Sequence, residues 1–197
     1  MDNKERIILK PSQNSICGNS YNLLNIKLLN SCNGKCEFCI AAGTPFKKSA
    51  DAQKFIDTAN SMTKFSKVDV LGGEPTLYPD LVKVLKGIRP YKKDIGIISN
   101  GSNLKIIKEC IPYLDTVTLS IHSFDYTKNS TGIHINEKEL KDLNKNKGNA
   151  EIIAAVVVTN KTVSNLKKIK SYARKAKKLG FSAIKLMELL TSNENID

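Results

Sequence analysis

Short apolar runs alternate along the chain with amphipathic stretches. The runs LLNIKLL (23–29), VDVL (68–71), IGIIS (95–99), TVTLSI (116–121), IIAAVVV (152–158) and AIKLMEL (183–189) are apolar and of strand length. Between them, near 50–63, 79–88, 102–109, 136–145 and 165–180, apolar residues recur at helical spacing. Six strands, each but the last followed by a helix, predict a parallel sheet with right-handed crossovers. A closed eight-stranded barrel typically takes about 250 residues, and this chain has 197. The pattern therefore predicts an α/β fold, a partial (β/α)6 barrel, as one domain over 1–197.

In such a sheet the chemistry gathers at the carboxyl ends of the strands. Those ends carry distinctive residues. SCNGKCEFCI (31–40) follows the first strand and GGEPTLYP (72–79) the second. SNGS (99–102), SIHSFD (120–125) and VTNKT (158–162) follow the next three, and MELL (187–190) closes the sixth. In GGEP the glycines permit a close backbone approach, while the proline stops helix continuation.

Composition changes the picture little. Apolar residues make up 41%, charged residues 25% and aromatics 6%, the balance of an ordinary globular protein. No apolar run approaches the roughly 20 residues that cross a bilayer. The N-terminal MDNKERIILKPSQ has no apolar stretch of signal-peptide type. A cytoplasmic protein without a membrane partner is expected. The formal charge of +12 invites a nucleic-acid partner. The densest lysine run (165–180), however, reads as one face of an amphipathic helix and lacks interleaved aromatics apart from Tyr172, so that partner is not favoured.

Five cysteines, three of them within eight positions, do not form a secreted disulfide framework. Cys32, Cys36 and Cys39 in C-x3-C-x2-C spacing can hold an iron-sulfur cube by three corners and leave one iron open. Two other readings stand beside it. One is a structural zinc site completed by Cys17, Cys110 or a histidine; the other is plain buried thiols.

Together, CNGKCEFC with Phe38 at its aromatic position and GGEP on the next strand end resemble the radical S-adenosylmethionine (SAM) enzymes, whose core is also a six-unit partial barrel. The resemblance covers the whole chain. It implies that Cys32, Cys36 and Cys39 ligate a 4Fe-4S cluster whose remaining iron is chelated by SAM. Gly72, Gly73 and Glu74 would meet the SAM ammonium, with Pro75 stiffening the turn, and Gly73 would lack a Cβ so that its backbone can approach the methionine end. Cluster and SAM sites would then be separable by mutation. Ser99, Asn100 and Ser120 would hold the ribose hydroxyls and the carboxylate. Phe38 and the backbone of Ile40 would lie by the adenine, with Val157 and Met187 on the last two strands. The implied chemistry is one-electron cleavage of SAM to methionine and a 5'-deoxyadenosyl radical, fed by a reductase or a flavodoxin- or ferredoxin-type donor.

Alternatives remain at single positions. Asn100 with Gly101 also reads as an ordinary turn and Ser120 as a helix-leading cap. His122 reads as a hydrogen-bonded core histidine or a substrate contact, and Glu188 as a surface carboxylate or a polar contact in the barrel. Cys110 reads as a buried thiol, and Cys17 is ambiguous. The chain ends nine residues after Glu188, without the cap or second cysteine cluster of many relatives. A short lid, a partner, or a longer parent protein is therefore expected. SIHSFD through MELLTSNEN resembles the branch with the molybdenum-cofactor cyclase and viperin-type enzymes. The expected substrate is a peptide or small metabolite, followed by a nucleotide or RNA. A zinc-stapled module and a basic nucleic-acid binder are the non-enzyme alternatives.

Overall fold

The computed structural model describes residues 22–39, 51–125 and 131–189. Six strands form one sheet in chain order, every neighbouring pair parallel. They are β1 (Leu23–Lys27), β2 (Lys67–Leu71), β3 (Asp94–Ser99), β4 (Thr116–Ser120), β5 (Glu151–Val157) and β6 (Ala183–Met187). Helices α1 (Ala52–Ser61), α2 (Leu81–Ile88), α3 (Leu104–Cys110), α4 (Glu137–Lys145) and α5 (Leu166–Lys178) fill the crossovers. Among the described residues β1 and β6 are the two edges and do not pair with each other, so the barrel they form is open. The predicted first strand ends two residues early; Leu28 still donates to Leu71 O at 3.0 Å before the chain turns away.

Local chemistry sets the helix starts. Asp51, Asn103, Asn136 and Asn165 cap α1, α3, α4 and α5, each accepting a first-turn amide hydrogen bond. Side chains alternate across the sheet. One face, with Ile26, Val68, Val70, Ile97, Leu119 and Val156, packs against the helices in a single buried core. The other face is the lumen, and it is polar. A register row crosses it from Asn25 through Asp69, Gly96 and Thr116 to Glu151, and a higher row joins Ser120, Ala155 and Lys185. The interior of a closed barrel is packed with branched apolar residues; a polar lumen is a space for a ligand. Its lower half holds a cavity of about 230 Å³ lined by Asp69, Lys185 and Thr118 among others.

Candidate cofactor site

The cysteine loop leaves β1 and crosses the carboxyl-end mouth of the barrel, pinned at four strand ends. Gly73 N donates to Leu29 O at 2.8 Å and Glu74 N to Ser31 O at 2.9 Å, tying it to β2. Asn100 Nδ2 donates to Asn33 Oδ1 at 2.8 Å from the end of β3. Lys35 N donates to Thr131 O at 2.9 Å beyond β4. Phe38 meets His122 edge to face at 4.8 Å between ring centroids. Lys161, after β5, pairs with Glu37 at 2.8 Å, both largely exposed, so this contact orients more than it stabilises.

On this loop Cys32 and Cys39 are exposed and Cys36 half-buried, all as free thiols. Burial, then repulsion from Cys39 and Cys32, pushes the Cys36 thiol up to about 11. Gly34 N lies 3.3 Å and Asn100 Nδ2 3.8 Å from Cys32 Sγ, so two N–H donors face that sulfur. Among the described residues no three His, Cys, Asp or Glu side chains converge tightly enough to hold a metal ion as they stand. The three thiols share one loop, Cys32 and Cys39 exposed on either side of the half-buried Cys36. Cys110 is elsewhere, fully buried at the C-terminal end of α3 with its thiol pushed up to about 12 by burial, and does not join the three. Cys17 lies outside the described residues, as does Ile40.

The GGEP turn differs from its expected use in one respect. A Cβ on Gly73 would stand 2.0 Å from Ser31 O and 2.6 Å from Asn30 O; one on Gly72 would stand 2.9 Å from Leu29 O. The glycines therefore let the turn nest against the backbone that leads into Cys32. That corrects the expectation of separable sites: a side chain at Gly73 displaces the cysteine loop itself. Glu74 is fully buried. Its Oε1 accepts from Thr76 N (3.0 Å), Thr76 Oγ1 (2.7 Å) and Ser99 Oγ (2.8 Å), and its Oε2 from Asn100 N (2.7 Å). A buried carboxylate is tolerable only when so supplied with donors. Glu74 thus fastens the end of β2 to that of β3, while Pro75 starts a short 3-10 turn behind it. Ser99 Oγ also accepts from Gly101 N at 3.0 Å, in a bend that takes Gly101 to φ 75°.

At the remaining ends, Ser120 closes β4 half-buried, Val157 closes β5 buried, and Met187 closes β6 half-buried with its carbonyl accepting from Val158 N at 2.8 Å. Glu188 is exposed just beyond. His122 is 3% exposed, and its Nδ1 accepts from Val157 N at 3.2 Å. Burial pushes this imidazole down to about 4, so at neutral pH it is uncharged, with the proton on Nε2. Asn33 and Thr131, which join the loops, and Thr76, which donates twice to Glu74 within the turn, are not singled out by the sequence alone; Asn33 lies inside the cysteine motif and Thr76 two residues after the motif acid. In the lumen Asp69 is held above the usual carboxylate range by burial, with Lys185 opposing that shift.

Residues 26–157, well over half of the chain, match the Radical SAM superfamily. The chain belongs to the radical SAM superfamily. The cofactors of that family are a 4Fe-4S cluster and SAM, and a loop carrying three free thiols fits that pair in its donor set. A probable GTP 3',8-cyclase from Thermococcus kodakarensis is 32% identical over 119 residues, covering 56% of this chain and 38% of that protein. An S-adenosylmethionine-dependent nucleotide dehydratase from Flammeovirga pacifica is 29% identical over 116 residues, covering 54% and 40%. This radical SAM chain thus spans about two fifths of the length of the curated relatives it matches. The crystal structure of Streptococcus suis SuiB bound to S-adenosylmethionine superposes with a TM-score of 0.74 at 20% identity, over 89% of this chain and 42% of SuiB, a likeness of fold. Among the described residues no helix is long and apolar enough to cross a membrane.

Proposed function

We propose that this chain is the core of a radical SAM enzyme that acts on a nucleotide. The observation that carries the enzymatic part is the interlocking of the two motifs, with Gly73 packed on the backbone that enters Cys32. Cys32, Cys36 and Cys39 would ligate the cluster. The turn Gly72–Glu74 would offer backbone carbonyls to the SAM ammonium, with the Glu74 charge behind them and Pro75 stiffening the turn. Ser120 would face the ribose and carboxylate, while Asn100, buried with Nδ2 on Asn33 and Oδ1 accepting from Ser102 N, would act by holding the cysteine loop. Ser99, 2% exposed and spent on Glu74 and Gly101, would act by holding that frame. Phe38, Val157 and Met187 would border the adenine. A cluster and SAM bound there would supply one-electron reductive cleavage of the sulfonium, giving methionine and a 5'-deoxyadenosyl radical that would take a hydrogen atom from substrate.

The protein's share is position and exclusion of water. The cysteine loop, pinned at four strand ends, roofs the lumen, and the lumen face, where Asp69, Asp94 and Glu151 stand with Lys67 and Lys185, suits a hydrogen-bonding substrate. The names of the relatives about 30% identical favour a nucleotide over the peptide or small metabolite expected first from the sequence. A reductase or a flavodoxin- or ferredoxin-type protein would deliver the electron. The test is anaerobic reconstitution with iron and sulfide, SAM titration, and 5'-deoxyadenosine production under reducing conditions with each nucleoside triphosphate. Stimulation by one of them is the expected result. A protein that takes up iron yet never binds or cleaves SAM would return the cysteines to electron transfer or structural metal.

A further inference from the structure

His122 is a buried polar side chain used at only one of its two nitrogens. Nδ1 accepts the Val157 amide at 3.2 Å, which continues the hydrogen bonding of β5 past the end of β4. The ring plane is set by Phe38, edge to face at 4.8 Å and 85°. Nε2 must then carry the proton, because an imidazole nitrogen that accepts from an amide cannot also donate. Among the described residues Nε2 has no hydrogen-bond partner, yet it is not one of the sealed unpaired atoms, which are Asn60 Oδ1 and Asn144 Oδ1. The 3% of His122 that remains exposed therefore leaves this N–H open at the mouth of the barrel.

We propose that His122 is a binding residue for SAM, its neutral Nε2–H donating to an acceptor atom of the nucleoside part, a ribose hydroxyl or an adenine ring nitrogen. This rests on the radical SAM reading above, in which Phe38 and Val157, the two residues that hold the ring, border the adenine. A donor fixed at two points before the ligand arrives loses little freedom on binding. An uncharged one also suits a neutral nucleoside, since it brings no buried charge with it.

Two substitutions separate the nitrogens. His122→Asn can place Oδ1 where Nδ1 accepts the Val157 amide, but ends short of Nε2. His122→Gln can place its amide N–H near Nε2 and loses the cap on Val157. The probe is S-adenosylhomocysteine titrated onto the reconstituted proteins, with thermal unfolding measured alongside. His122→Asn, which keeps the cap on Val157 but loses the ring against Phe38, should unfold somewhat earlier than the parent and bind about five- to tenfold more weakly, the worth of one neutral hydrogen bond. His122→Gln should unfold earlier and keep affinity within about twofold, by the same reasoning. Parent affinity in His122→Asn, or an equal loss in both variants, would overturn the assignment. So would a loss confined to GTP added after saturating S-adenosylhomocysteine, which would place the N–H on substrate. If the parent binds neither SAM nor S-adenosylhomocysteine, the cofactor reading falls and this inference with it.

Discussion

Gly73 shows how one missing atom joins two motifs that the sequence lists forty residues apart. With the nearest backbone oxygen 2.0 Å from where a Cβ would stand, no rotamer relieves the clash, and the loop entering Cys32 has to move. Gly73→Val should therefore lose iron loading and SAM binding together, read by iron content after reconstitution and by SAM titration. Full iron with SAM binding alone lost would show that the loop tolerates the displacement. His122 supports a second expectation at this scale. Its pKa falls from 6.5 unfolded to about 4 folded through burial. Between those values the unfolded chain binds the extra proton, so folding stability is full above pH 6.5 and declines as pH falls toward 4. A shift of this size corresponds to on the order of 3 kcal/mol. His122→Asn should remove that segment of the acid dependence, measured as the parent-minus-variant difference in denaturant unfolding across pH 4–7.

Elements are held at the site by contacts from behind the sheet. Tyr172 in α5 is buried, and its hydroxyl donates to Ile121 O at 2.7 Å, one residue before His122. Its phenol is pushed well above its usual range by burial, so it remains a donor at any working pH. Phe124 stacks beside it at 4.8 Å, extending the apolar seat of the helix. Tyr172→Phe leaves that carbonyl without its donor and should cost about 1–2 kcal/mol in denaturant unfolding. Iron loading should be unchanged, since the cysteine loop is reached only through His122 and Phe38. The basic side of α5 has a simpler account. Lys175 pairs with Glu137 of α4 at 2.5 Å, and Lys175, Lys177 and Lys178 sit in the last turn, where the helix dipole favours cations.

For the whole molecule, the cysteine loop touches the ends of β2, β3, β4 and β5, so ligating it draws on most of the barrel. Binding to the folded state alone raises stability. The cluster-loaded protein should unfold at a higher temperature than the apo form. Cys32→Ala, Cys36→Ala and Cys39→Ala should each remove both the iron and that gain. Cys110→Ala provides the contrast: it should keep its iron and lose only about 1 kcal/mol to the small cavity left in the core. Iron loss in that variant equal to the other three would reassign the ligands.

Periodicity alone was enough to count six strands and five helices in their right order, because apolar alternation is written residue by residue and survives without tertiary context. Local spacing was likewise enough to put Cys32, Cys36 and Cys39 on one loop, and order along the chain to put GGEP on the next strand end. What needed the folded chain was every relation between loops. The nesting of Gly73 on Ser31, the four donors on Glu74, the burial that keeps His122 neutral and the separation of Cys110 from the other thiols all join residues far apart in sequence. Their partners are chosen by strand register and by the path of the cysteine loop over the barrel mouth, which no local pattern encodes. The expectation that the two sites are separable at Gly73 gave way for that reason: the atom standing where a Cβ would be is this chain's own Ser31 O, and only packing could show it.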